Sequence, residues 1–107
     1  MSERMTVERA MAAVRDSDDG LYGVLLDRGA TEVGYYVPRV EDLQQPHDRD
    51  EVYVVVSGSG RFFLDGEERD FEAGEAIFVP AGAEHRFKDF SDDFSAWVVF
   101  FAAAQGE

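Results

Sequence analysis

The chain has 107 residues and a formal net charge of −13, from 23 acidic and 10 basic residues. This length allows one hydrophobic core, and a hydrophobic fraction of 45% with nine Phe and four Tyr is enough to fill it. The acidic surface argues against nucleic-acid and membrane partners, and the absence of cysteine excludes disulfides, thiolate nucleophiles and cysteine-bound zinc.

The N-terminal segment is predicted to form a short helix over residues 6–15. Thr6 suits the N-cap position, and Glu8 favours the first turn. The apolar residues at helical spacing are Val7, Ala10, Met11 and Val14. We expect residues 1–18 to be a helical extension that closes one end of a barrel or covers a sheet edge.

Beyond residue 18 the pattern changes to short β-branched and aromatic runs separated by turn residues. The predicted strands are 21–26, 31–37, 51–56, 61–64, 67–71, 76–79, 84–90 and 94–101. Many short strands without alternating helices indicate an antiparallel sandwich or barrel. We therefore predict an all-β barrel domain over residues 19–104.

The clearest local signal is a β-hairpin around Asp65 and Gly66, since Asp-Gly is a preferred two-residue hairpin loop. The register set by this loop pairs Leu64 with Glu67, Phe62 with Arg69, and Arg61 with Asp70. The last of these is a cross-strand pair of opposite charge.

Four residues are candidate metal ligands. Two-residue alternation places Gln45 and His47 on one face of an extended segment, and the fold must bring Glu51 and His85 to that face. Two imidazoles, a carboxylate and an amide oxygen suit a non-haem Fe(II) ion with open positions. The set also accepts Mn, Ni, Co, Cu or Zn, whereas imidazole is a poor ligand for Mg or Ca. We predict one divalent transition metal ion, with Fe(II) as the first candidate.

Each of these residues also has an explanation that needs no metal. His47 could be a solvated loop residue, and Glu51 could be an edge charge that discourages aggregation. His85 could hydrogen-bond a backbone carbonyl. Their joint spacing favours the metal site.

That spacing resembles the two sequence motifs of the cupins. The first motif, normally His-x-His-x3,4-Glu-x6-Gly, is matched by His47, Glu51 and Gly58. The second, normally Gly-x5-Pro-x-Gly-x2-His-x3-Asn, is matched by Gly74, Pro80, Gly82 and His85. The resemblance covers residues 33–101 and implies a double-stranded β-helix, or jelly-roll barrel, with one metal ion at its centre.

The chain departs from the cupin motifs at two positions. Gln45 stands where the family has its first histidine, and Asp89 replaces the asparagine, a change expected to affect only a turn. The family's longer spacing would put Gln44 in the first position and Pro46 in the next, leaving His47 unused. We prefer the shorter spacing because it keeps His47 on the ligand face. One imidazole fewer implies looser metal binding, a more solvent-accessible ion, or no metal at all.

Aromatic residues are expected to line a cavity above the ion. The candidates for this pocket are Tyr53, Phe63, Phe87, Trp97, one of Tyr35 or Tyr36 (Tyr36 preferred), and Arg39. Tyr53 has the parity of Glu51, and Arg39 or Arg61 could bind a substrate carboxylate. Arg61 is better explained by its pairing with Asp70, and core packing is the alternative for each aromatic.

The resemblance implies a metal-dependent enzyme acting on a small organic molecule, of dioxygenase, isomerase or lyase type. Glu51, a predicted ligand, would become the catalytic base if it left the metal when the substrate binds. The alternative is a non-catalytic barrel that binds or senses a small ligand, with or without metal; a stability or assembly role is weaker. Strands over 21–37 are apolar on both faces, which suggests a homodimer. No apolar run resembles a signal peptide or a membrane span, so a cytoplasmic protein is expected.

Overall fold

The protein is an all-β double-stranded β-helix with one short helix, as predicted. A computed structural model describes residues 4–42, 44 and 46–102. The elements are α1 Val7–Arg15, β1 Tyr22–Arg28, β2 Thr31–Tyr36, β3 Asp50–Ser57, β4 Ser59–Leu64, β5 Glu67–Glu72, β6 Ala76–Val79, β7 His85–Lys88 and β8 Ser95–Phe101. The domain boundary placed after residue 18 stays a prediction, and residues 103 and 104 lie outside the described part.

Two antiparallel sheets face each other across the core. One has the strand order β1-β2-β8-β3-β6 and the other β5-β4-β7. The α1 helix is nine residues long, and within the described residues there is no helix that could cross a membrane.

The predicted β4–β5 hairpin is confirmed. Asp65 and Gly66 form its loop with φ of 47° and 92°, and the register pairs Arg61 with Asp70. The guanidinium of Arg61 nevertheless lies closer to Glu68, at 3.3 Å, than to Asp70, at 3.9 Å. The turn sets the pairing of the strands, while the exposed guanidinium contacts two neighbouring carboxylates.

Aromatic side chains fill the space between the sheets. The central ring is Phe87, only 1% exposed, whose centroid lies 4.6 to 5.2 Å from four neighbouring aromatic rings. Tyr53 and Phe62 belong to this group and also contact the ring of His85, at 6.1 and 6.4 Å between centroids. The aromatic core therefore forms one wall around His85.

The helix covers the outer face of β1 and β2. Thr6 caps it, as predicted, by accepting the backbone N–H of Arg9 at 3.1 Å. Buried Ala10 and Val14 form a second, smaller hydrophobic cluster with Tyr35. The second apolar face over 21–37 is thus covered by the chain's own helix, and it no longer argues for a homodimer.

The helix packs on β1 at Gly23, where there is no room for a side chain. A Cβ atom at Gly23 would lie 2.4 Å from the carbonyl carbon of Ala13. We expect Gly23→Ala to displace the helix and to lower the free energy of unfolding by about 1–3 kcal/mol, the usual effect of overpacking. Urea unfolding followed by Trp97 fluorescence measures this, because Trp97 packs against the helix cluster.

The control for Gly23→Ala is Val24→Ala, at the next position of the same strand, whose side chain is exposed. An exposed substitution of this kind is expected to change the free energy of unfolding by about 0.5 kcal/mol or less. Equal stability of Gly23→Ala and the native protein, with unchanged Trp97 emission, would contradict close helix packing.

Candidate metal centre

Three of the four predicted ligands come together in the structure. His47, Glu51 and His85 each direct one donor atom into a cluster in which all three atoms lie within 4.8 Å of one another. Glu51 Oε1 is 3.1 Å from His85 Nε2 and 3.9 Å from His47 Nε2. Gln45, the fourth predicted ligand, lies outside the described residues.

A backbone turn brings the two motifs together. The turn at 80–82 packs against the segment before β3, where the Gly82 N–H donates to the carbonyl of His47 at 2.6 Å. Next to it, the Ala81 N–H donates to Asp50 Oδ1 at 2.8 Å. These bonds hold the histidine of the first motif against the turn that leads into β7, which begins with the histidine of the second motif.

The buried donor atoms of the cluster lack hydrogen-bond partners. The side chains of Glu51 and His85 are each only 1% exposed. Within the described residues, neither carboxylate oxygen of Glu51 nor Nε2 of His85 has a partner with hydrogen-bond geometry. Because buried polar atoms are normally satisfied, these three atoms indicate a binding site for a further group.

The tautomer of His85 explains why that group should be a cation. Its Nδ1 lies 2.9 Å from the carbonyl of Ala83, which can only accept, so Nδ1 is the donor. In the neutral ring, Nε2 then carries a lone pair that faces the carboxylate of Glu51. Two lone-pair atoms so close, one of them charged, need a proton or a metal ion beside them. The residues therefore fit a metal ion.

Glu51 also affects the protonation of two neighbouring rings. Burial works against the charged form of His85, but the nearby Glu51 carboxylate and the Ala83 carbonyl outweigh it, so the pKa of His85 is raised. Burial, with the Glu51 charge, holds the pKa of Tyr53 well above its usual value. The Tyr53 hydroxyl is therefore a lasting hydrogen-bond donor inside the site.

Sequence reasoning missed a buried carboxylate that supports the site. Asp42 is 4% exposed and accepts four hydrogen bonds. The donors are the Tyr36 hydroxyl at 2.8 Å, the Gln44 backbone N–H at 3.1 Å, the Gln44 side-chain amide at 2.8 Å and the Phe87 backbone N–H at 2.9 Å. Asp42 lies in a polar loop without periodicity, so its neighbours in sequence give no signal of this role.

A cavity of about 540 Å³ opens beside the cluster, and His47 and Gln44 line it. Its apolar lining comes from Leu21, Val98 and Phe100. On its polar side, Tyr22 donates to Glu32 at 2.7 Å, and the guanidinium of Arg49 lies 3.7 Å from the same carboxylate. Arg49 also lies 4.6 Å over the Phe100 ring.

The predicted pocket residues divide into three groups. Tyr36 lines the cavity, and its hydroxyl is held by Asp42. Tyr53 and Phe87 are fully buried below it, with the Tyr53 hydroxyl reaching the site. The remaining three, Phe63, Trp97 and Arg39, belong neither to the cavity lining nor to the core between the sheets, so Tyr36 is the one predicted pocket residue that lines the cavity.

Strand alternation corrects two of these pocket predictions. On β4 the inward residue is Phe62, so Phe63 points away from the core. On β8, Ala96 and Val98 are inward, and Trp97 packs on the helix side, 5.0 Å from the ring of Tyr35. The pairing of β4 with β5 carries a signal for the first correction. It puts Phe62 on the same face as Phe71, the only apolar residue of β5.

Arg39 is exposed, and Arg49 is the cation found at the cavity instead. The sequence separates the two arginines poorly because both lie in the polar segment between β2 and β3. Asp89 has φ of 51° in the turn after β7, so the departure from the second motif falls in a turn, as predicted.

Comparison with known proteins places these features in a family. Residues 35–101 match the family model described as a cupin domain. An uncharacterized protein of Streptomyces coelicolor is 37% identical over 92 residues, covering 84% of this chain and 88% of that protein. An acireductone dioxygenase of Frankia alni is 41% identical over 68 residues, covering 59% of this chain and 32% of that protein.

Among solved structures, a Cupin 2 conserved barrel domain protein from Salinispora arenicola is similar over nearly the whole chain. The TM-score is 0.68 at 22% identity, covering 96% of this chain and 90% of that one. This likeness extends beyond the motif region to the helix and the first strands.

Proposed function

Since this chain belongs to the cupin family, we propose that it is a metal-dependent enzyme acting on a small organic molecule. One observation carries the proposal. Glu51 and His85 have buried atoms without a partner among the described residues, and His47 of the same cluster lines a cavity of about 540 Å³. A stability role would need neither the unsatisfied atoms nor the open space.

The ion would be held by Glu51 and by the Nε2 atoms of His47 and His85. Two imidazoles and a carboxylate suit a divalent transition metal, with Fe(II) as the first candidate and Mn, Ni, Co, Cu or Zn as the others. When bound, such an ion supplies Lewis-acid polarisation of a substrate oxygen or activation of dioxygen.

The chain's own residues supply binding and proton transfer. The apolar part of the cavity lining would contact the carbon skeleton of a substrate, and the Tyr53 hydroxyl remains a donor beside Glu51. Glu51 would act as the catalytic base if it left the metal when the substrate binds, because no described residue occupies its carboxylate oxygens. Acidic residues outnumber Arg49 on the cavity wall, which favours a neutral or singly charged substrate over a polyanion.

Dioxygenase chemistry is the first reaction type to test, ahead of isomerase and lyase chemistry. The Frankia relative is named as an acireductone dioxygenase, and the match covers about a third of its length. A substrate with adjacent oxygen atoms would suit a site held by His47, Glu51 and His85, because His47 lines the cavity.

The second candidate is a barrel that binds or senses a small ligand without turnover. It is favoured by the glutamine in place of one imidazole, which implies looser metal binding. Ligand binding that persists after metal removal would distinguish it from the enzyme.

We expect protein prepared without chelator to contain about one transition metal ion per chain, because the three ligands are already assembled. Elemental analysis measures this, with His85→Ala as the control that lacks a ligand. Oxygen uptake with Fe(II) and a panel of diketones, catechols and keto acids then tests the dioxygenase type. A metal content below about a tenth of an ion per chain in the native protein would contradict the proposal.

We also propose that the protein is a cytoplasmic homodimer and that it does not bind nucleic acid. The surface that suits a second copy is the outer face of β3 and β6. There Phe78 is 52% exposed and Val54 is 37% exposed. Phe101 lies beside Phe78, with 6.5 Å between the ring centroids.

A further inference from the structure

We infer that Gln44 supplies a fourth ligand atom, its amide oxygen Oε1, to the metal centre, and that Asp42 is the positioning residue that aims it. The inference rests on the proposed metal site and extends its ligand set. In this ligand set, a neutral amide oxygen takes the place of the third imidazole that cupins normally have. Asp42, which is not a ligand, holds the amide in position.

The orientation of the Gln44 amide follows from its neighbour. The carboxylate of Asp42 can only accept, and its Oδ2 lies 2.8 Å from the side-chain nitrogen of Gln44. The Gln44 backbone N–H donates to the other carboxylate oxygen at 3.1 Å, so two contacts fix this residue. With its NH₂ group bound to Asp42, the amide must present Oε1 on the opposite side.

That side is the metal cluster. Gln44 Oε1 lies 3.4 Å from His47 Nε2, longer than a usual N–H···O hydrogen bond. Atoms about 2.1 Å from one ion, at angles of about 90° to 110°, are about 3.0–3.4 Å apart. The separations from Gln44 to His47 and from Glu51 to His85, at 3.1 Å, fall in that range, whereas that from Glu51 to His47, at 3.9 Å, is wider.

One lone pair of Gln44 Oε1 is already used by Tyr53, whose hydroxyl donates to it at 2.9 Å. An amide oxygen has a second lone pair, so this bond does not prevent ligation. The competing explanation is that Gln44 only holds Tyr53 in place. Under that explanation, removing Gln44 and removing the Tyr53 hydroxyl should have the same effect on the metal.

Asp42 links this loop to the strand that carries His85. Its Oδ2 also accepts the backbone N–H of Phe87 at 2.9 Å, two residues beyond His85 on β7. The carboxylate therefore fixes Gln44 relative to a ligand from the opposite sheet. Such outer contacts typically change metal affinity by about 10- to 100-fold when they are removed.

Co(II) is a suitable probe, because its visible absorption depends on the ligands around it. The chelator-treated full chain is titrated with Co(II), and affinity is measured by competition with a chromophoric chelator. We expect Gln44→Ala to weaken binding by about tenfold or more and to change the absorption bands. Tyr53→Phe, the comparison variant, removes one hydrogen bond to Gln44 Oε1 but keeps that oxygen, so it should keep the native absorption bands and lose less affinity than Gln44→Ala.

Asp42→Asn gives the test of positioning. It should shift the Co(II) spectrum toward that of Gln44→Ala, since an amide at this position can face either end of the Gln44 amide. Should this variant not fold, the comparison of Gln44→Ala with Tyr53→Phe decides the question, because Gln44 is only partly buried.

Two results would overturn the inference while leaving the proposed function intact. In the first, native protein binds Co(II) and Gln44→Ala matches it in affinity and spectrum. In the second, Gln44→Ala and Tyr53→Phe change both readouts alike. Failure of native protein to bind Co(II), Fe(II) or Zn(II) would instead refute the metal site and the inference together.

Discussion

Replacing Glu51 with alanine is expected to abolish the thermal stabilisation that a divalent transition metal gives this protein. Glu51 Oε1 lies 3.1 Å from His85 Nε2 and 3.9 Å from His47 Nε2, so Glu51 is the ligand that lies close to both of the others. A ligand at about 1,000 times its Kd stabilises the native state by about 4 kcal/mol. In a domain of about 100 residues this raises Tm by roughly 15–30 °C.

The measurement is thermal unfolding of native and Glu51→Ala protein, each with excess Co(II) or Zn(II) and with chelator. The matched control is Glu68→Ala, which removes the same charge from β5, on the outer side of the three-stranded sheet. It should keep the full metal-dependent rise in Tm. A Glu51→Ala variant that kept that rise would show that the metal is bound elsewhere.

Without metal, the same substitution should have a much smaller effect on Tm. The buried carboxylate then has no hydrogen-bond partner in the described residues, and removing such a group offsets part of the packing loss. Glu51→Gln, which keeps the volume, separates packing from charge. The contrast between metal-loaded and metal-free protein, rather than either Tm alone, identifies Glu51 as a ligand.

Gly58→Ala is expected to lower the free energy of unfolding by about 2–5 kcal/mol. Gly58 has φ of 90°, where an L side chain costs about 1–2 kcal/mol. An added Cβ would also lie 2.6 Å from the Cα of Phe94, a fully buried core residue. Overpacking against backbone adds about 1–3 kcal/mol, a large part of the stability of a small domain.

Gly74, the glycine that begins the second motif, is a control for this prediction. Gly74 has φ of 95°, but a Cβ added there would have no neighbouring atom within 4 Å. Gly74→Ala should therefore show the backbone penalty alone, about 1–2 kcal/mol. Urea midpoints of the two variants measure the difference, and equal losses would show that the contact with Phe94 relaxes at little cost.

The parts of the fold that sequence predicts well are local in origin. The Asp65-Gly66 turn dictates its own hairpin register, and Thr6 caps a helix a few residues away. His47, Glu51 and His85 can be identified because the turns between the strands have fixed lengths, so that spacing carries information about position in space. The hairpin and the cap need no knowledge of distant contacts, whereas the three ligands are identified together because their spacing resembles the cupin motifs.

The parts that sequence does not predict depend on long-range contacts. Asp42 receives a hydrogen bond from Phe87, 45 residues away, and no pattern near Asp42 indicates it. Alternation gives β4 two faces without saying which one is inward, so it does not by itself separate Phe62 from Phe63. The packing of the two sheets decides between them, since Phe62 contacts Tyr53 of the opposite sheet with 6.0 Å between the ring centroids.

The position of β8 has a consequence for synthesis of the protein. This strand, the last in the described chain, lies between β2 and β3, and its Phe100 pairs with Glu51. A nascent chain that has left the ribosome as far as residue 94 carries every proposed ligand, but β2 and β3 still lack their shared neighbour. Since non-local strand pairing must await its partner, the centre can assemble only after β8 emerges.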